Sequence, residues 1–101
     1  MVVKRRSQRA SGNVFRDLGF GSEEAQNLRV RADLMMALSS LIAERALTQV
    51  QAAELFGVSQ PRVSDLVRGK IERFSVDTLI AMLGAAGVGV RVTVQKRARV
   101  A

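Results

Sequence analysis

Apolar residues along this chain recur mostly at helical intervals. Leu28, Ala32, Met35, Leu38 and Ile42 are spaced by three or four, Leu34 and Leu41 widen the stripe, and together they predict a first helix over about 23–46. Ser22 before Glu23 and Glu24 is its expected start, because a hydroxyl caps free amides and acids suit the positive end of the helix dipole. The two methionines, Met35 and Met36, are expected as core filler. Thr48-Gln-Val-Gln51 has the form of a capping box and predicts a second helix to about Phe56, which Gly57 ends by turning left-handed at little cost. Ser59 caps a third helix over 59–67, with Pro61 in the first turn, where a missing amide hydrogen matters least. Gly69 stops that helix. Ser75 with Asp77 opens a fourth, carrying Leu79, Ile80, Met82 and Leu83 and closing near Gly84 or Gly87.

One stretch alternates instead. Val88, Val90, Val92 and Val94 occupy every second position, a strand pattern. A lone strand leaves unpaired backbone groups and one apolar face. Its expected partner is the same strand of a second molecule, giving a homodimer of the commonest closed symmetry, and the alternative is pairing with residues 13–18 of its own chain. Near the other end, Val14, Phe15, Leu18 and Phe20 interleave with polar residues and predict a short hydrophobic clip on the domain. The expected organisation is a disordered basic tail (1–12), one domain (13–95) and a second basic tail (96–101).

Residues 48–68 hold a more specific constellation. Two short helices crossing steeply over a tight turn need a small residue at their contact, a glycine in the turn and apolar residues behind the second helix. Ala53, Gly57, and then Phe56, Val58, Val63 and Leu66 meet those needs in order. Val63, Leu66 and Val67 are expected to point inward, leaving Gln60, Pro61, Arg62, Ser64 and Asp65 outward.

Composition narrows the chemistry further. The chain has 101 residues, no cysteine and no histidine, so disulfides, thiolate metal sites and the usual Ser-His or Cys-His catalysis lack their participants. No enzyme activity, metal or cofactor is expected. No apolar run approaches the ~18–20 residues of a membrane span, and Met-Val-Val-Lys-Arg-Arg at the start is not a secretory signal, so a cytoplasmic location is expected. The net charge of +7 is confined to the ends. Lys4, Arg5, Arg6 and Arg9 lie in the first tail, Lys96, Arg97 and Arg99 in the last, and residues 13–95 balance nine basic against nine acidic side chains. Such tails either hold phosphate without sequence preference or are solvated ends.

Thr48 to Lys70 resembles the helix-turn-helix of the XRE, or lambda-repressor-like, family. The wider stretch Asn13–Val94 resembles the HigA-type antitoxin and antitoxin-like regulators, through Asn-Val-Phe before the first helix, Ser-Gln-Pro-Arg-Val-Ser in the third and Phe-Ser before the fourth. One departure is Ala52, where many members place leucine; Leu55 could compensate. The resemblance implies a mainly α, lambda-repressor-like helix-turn-helix bundle of four to five helices with one C-terminal strand. It also implies that the third helix enters the major groove of double-stranded DNA while the second rests on a phosphate.

Candidate contacts follow from side-chain chemistry. Arg62 can grip guanine O6 and N7, Gln60 can do likewise for adenine, and Pro61 can touch a thymine methyl. Asp65, three residues after Arg62, either orients that guanidinium, accepts from a cytosine amine, or forms only a solvated pair with it. Gln49, Ser59, Ser64, Arg68, Lys70 and Arg73 are candidates for phosphates. The expected function is a sequence-specific transcriptional repressor acting as a dimer. The alternative is an antitoxin that neutralises a toxin protein and represses its own operon. RNA binding fits less well, because all four aromatics are phenylalanine and Phe56 and Phe74 look buried, whereas readers of single strands expose stacking platforms.

Overall fold

The computed structural model describes residues 2–3 and 22–95. Helix α1 spans Ser22–Glu44, α2 Gln49–Phe56, α3 Gln60–Val67 and α4 Val76–Ala85. A 3-10 turn, Ile71–Arg73, links α3 to α4. Two short strands, β1 (Val2–Val3) and β2 (Arg91–Val92), complete the order. The architecture is mainly helical, as expected. No helix among the described residues is long and apolar enough to cross a membrane.

The core is a single cluster. Leu34, Leu38 and Leu41 of α1 meet Phe56 of α2, Val63 and Leu66 of α3, Phe74, and Leu79, Met82 and Leu83 of α4. No polar or charged residue among those described is buried. Of the expected α1 stripe Met35 and Leu38 are buried, whereas Leu28, Ala32 and Ile42 are only half-buried, and Leu34 and Leu41, expected only to widen it, are buried. The reason is that α1 carries apolar residues on two sides, so spacing alone does not choose the inward one. Met35 is buried, but Met36 is 67% exposed and is not core filler. Val67 likewise points out, 46% exposed, rather than inward. Both line an open, largely apolar groove between α1 and the end of α3.

Helix α1 stops two residues short of the expected end. Ala46 turns to φ 50°, and the Leu47 N–H donates to the Ile42 carbonyl at 3.0 Å, which satisfies one of the last free carbonyls. Beyond α4, Gly87 (φ 79°) makes a similar turn, with the Val88 N–H donating to the Leu83 carbonyl at 2.9 Å.

The C-terminal strand differs most from expectation. Pairing is limited to Arg91–Val92 rather than the whole of 88–95. Val88 and Val90 pack against the core, whereas Val92 and Val94 are 65% and 90% exposed. Among the described residues its partner is β1, in parallel, with Val2 opposite Arg91 and Val3 opposite Val92. Thus two residues assigned to the first tail form backbone pairs, and β2 is not the only strand. The expected clip of Val14, Phe15, Leu18 and Phe20 lies outside the described residues. So do residues 4–12 and 96–101 of the two tails.

Candidate nucleic-acid interface

The unit from Thr48 to Val67 is fixed locally at each joint. Thr48 is extended (ψ 166°); the Gln51 N–H donates to its Oγ1 at 3.1 Å, and its own N–H donates to Gln51 Oε1 at 2.9 Å. The capping box read from the sequence is therefore present. Gly57, at φ 70°, ends α2 with its N–H on the Ala53 carbonyl, and the Val58 N–H reaches the same carbonyl at 3.0 Å. Ser59 then opens α3, its Oγ accepting from the Arg62 N–H at 3.3 Å. Ala52 and Ala53 are buried at the helix contact, so alanine at 52 leaves a close approach that half-buried Leu55 flanks. Behind α3, Val63 and Leu66 are buried completely or nearly so.

The opposite side of α3 is open. Pro61, Asp65 and Arg68 recur at i, i+4 and i+7, which places them together and away from Val63 and Leu66. Gln60, Pro61 and Arg68 are exposed, as are Ser59 at the cap and Gln49 at the start of α2; Ser64 and Lys70 are half-exposed. The Ser59 hydroxyl accepts as a cap but keeps its proton, so it can still donate to a phosphate oxygen.

Two arginines beside α3 are engaged with the protein itself. The Arg62 Nη1 donates to the Arg73 carbonyl at 2.8 Å, and its guanidinium lies 5.2 Å from the centre of the buried Phe74 ring. A charge-assisted hydrogen bond of this kind is worth about 1.5–3 kcal/mol and a cation–π contact about 0.5–1 kcal/mol, so Arg62 is held on the flank of the helix. Asp65 does not pair with Arg62. Its two carboxylate oxygens accept from a single nitrogen, Arg73 Nη1, at 3.3 Å each. The i, i+3 spacing on α3 loses to the 3-10 turn because Arg62 is already drawn to the Arg73 backbone. Arg73, expected as a phosphate contact, is ion-paired to Asp65 of α3.

Phe74 and Arg31 were not foreseen as parts of this region. The Arg31 Nη1 donates to the carbonyls of Ile71 (3.0 Å) and Phe74 (3.4 Å), while its Nε donates to Asn27. The turn 71–74 is thus gripped by Arg31 from α1 and by Arg62 from α3. Nothing local in the sequence announces contacts between residues 40 or more positions apart.

Comparison with known proteins agrees with this geometry. A family model described as a helix-turn-helix domain matches residues 14–95. A solved structure assigned to the XRE family of transcriptional regulators is 35% identical, with a TM-score of 0.67 over 76% of this chain and 89% of that one. The chain belongs to the XRE-like helix-turn-helix family. No curated protein matches it. In this helix-turn-helix, α2 and α3 are the paired helices, and the turn 71–74 is the brace that joins α3 to the rest of the bundle.

Proposed function

We propose that the protein is a sequence-specific DNA-binding transcriptional regulator, acting as a repressor, which lays α3 in the major groove. The observation that carries this reading is the two-sidedness of α3: Val63 and Leu66 fix it from behind, while Gln60, Pro61 and Arg68 stand open to solvent. Gln60 and Pro61 at its start lead into the groove and meet base edges. Gln49, Ser59, Ser64, Arg68 and Lys70 hold phosphates to either side, which sets register without reading sequence.

Dimerisation belongs to this reading. Among the described residues β2 pairs on one edge only, and Val92 and Val94 present apolar surface beside it. A second copy there would carry two α3 helices to a near-palindromic site with half-sites about 34 Å apart. The HigA-type extension, with a toxin as second partner, rests on the resemblance of Asn13–Phe15, Ser59–Ser64 and Phe74-Ser75; co-purification with the product of an adjacent toxin-like gene tests it.

Selection of binding sites from random duplexes at stated salt tests the main reading. The expected result is one enriched near-palindrome. Affinity for it should fall with salt by a slope that drops about one unit in each of Arg68→Ala and Lys70→Ala. Equal affinity for every duplex would reject sequence-specific recognition by α3.

A further inference from the structure

We propose that Arg73, steered by Asp65, is the guanine-reading residue of this interface, and that Arg62 is a positioning residue that fixes the Arg73 backbone. This rests on the DNA-reading proposal above and goes further, by naming one base and the side chain that selects it.

The case begins with which guanidinium edges remain available. Arg73 meets Asp65 through Nη1 alone, both oxygens sharing that nitrogen. Its Nε and Nη2 lie along another edge, which Asp65 leaves unengaged. Two parallel N–H groups on one edge are what guanine O6 and N7 accept. The Arg73 side chain is 53% exposed, so that edge has room for a base.

Asp65 sits on the outward side of α3 with Pro61 and Arg68, where a bare carboxylate would repel phosphates. An exposed ion pair contributes little to stability, so folding alone is a poor account of an acid at this position. As a steering group it makes sense: it neutralises itself against Arg73 and draws that side chain alongside α3 rather than into solvent. The backbone is prepared in the same way. Arg62 holds the carbonyl of Arg73, and Arg31 holds those of Ile71 and Phe74 on either side of it. Arg62 itself is half-buried and stacked on Phe74, so presenting it to a base would mean giving up both contacts.

The test is site selection with the wild type, Arg73→Lys, Asp65→Asn, Arg62→Ala and Arg62→Lys, each first checked for folding by its thermal transition. Arg73→Lys keeps the charge but loses the fork, and is expected to lose about tenfold of preference for guanine at one position while the salt slope stays unchanged. Asp65→Asn should relax the same position. Combining the two should do no further harm there, because both act through one contact. The Arg62 variants, acting through the Arg73 backbone, should weaken the same guanine preference by less than Arg73→Lys does and add no further loss there in the Arg73→Lys background; Arg62→Lys serves if the alanine variant does not fold. An unchanged profile for Arg73→Lys, or a further loss of guanine preference when Arg62→Lys is added to Arg73→Lys, overturns the assignment while leaving DNA reading by α3 standing. If the wild type selects no sequence, both proposals fall together.

Discussion

The segments 48–69 and 86–95 were equally plain as sequence patterns, yet they fold with very different completeness. In the first, every helix end is closed by a neighbour in the chain: Thr48 with Gln51, Gly57 with Ala53, Ser59 with Arg62. In the second, Val88, Val90, Val92 and Val94 alternate over seven residues, but only Arg91 and Val92 pair. Helical hydrogen bonds and caps are satisfied within a few positions, so the local sequence contains both partners. A strand is satisfied only by another strand, and nothing in its own alternation names which one. The partner turned out to be Val2–Val3, nearly ninety residues away and embedded in a charged stretch that otherwise looks like a tail.

The largest expected effect comes from removing the wedge on which the first segment is built. Phe56 is 2% exposed, and Phe56→Ala should destabilise the protein by about 3–5 kcal/mol in a urea titration, through lost transfer energy and the cavity left behind. A cost below about 1 kcal/mol would mean that α2 is not packed as described, and that the contrast between the two segments is overstated.

Next is the turn itself. At Gly57 (φ 70°) an added Cβ would meet Ala85 Cβ at 3.9 Å, an ordinary contact, so the penalty of Gly57→Ala is the left-handed backbone alone. About 1–2 kcal/mol is expected from equilibrium unfolding. A stabilised Gly57→Ala variant would show that the turn is not left-handed in solution.

Thr48→Ala removes the hydroxyl half of the capping box, the bond from the Gln51 N–H to Oγ1, and leaves the backbone N–H of residue 48 to donate to Gln51 Oε1. A loss of about 1 kcal/mol is expected, or a few degrees in Tm. No loss at all would leave α2 held by packing alone, and the local closure that distinguishes this segment would be decorative.

These same residues show how far the sequence could be read. The four helices, the two serine caps and the capping box were legible because each depends on residues at most four apart. So was the inward set Phe56, Val63 and Leu66, which the tight turn forces to one side. Illegible were features decided by distant neighbours. Val67 and Met36 have core chemistry but face an open groove between α1 and the end of α3. Asp65 had an obvious partner three residues before it, yet chose Arg73, because Arg62 is committed to the Arg73 carbonyl and Phe74. The helix-turn-helix was therefore legible along the chain, while the partners of the charges beside it required the fold.

The smallest expected effect sharpens the comparison from its weaker side. Val92 is 65% exposed and its backbone, not its side chain, makes the β1 pairing. In a dilute, monomeric sample Val92→Lys should change the unfolding free energy by no more than about 0.5 kcal/mol, the range of ordinary surface substitutions. The proposed dimer predicts something else at higher concentration. If copies associate along the second edge of β2, a lysine there places like charges across the two-fold axis and replaces apolar contact with a solvated cation. Sedimentation should then find the wild type dimeric and Val92→Lys monomeric over the same concentrations, with half-site affinity preserved because α3 is untouched. A Val92→Lys protein that remains dimeric would move the contact elsewhere on the surface. One that unfolds as a monomer would instead make β2 as integral to the domain as α2, and the difference between the two segments would vanish.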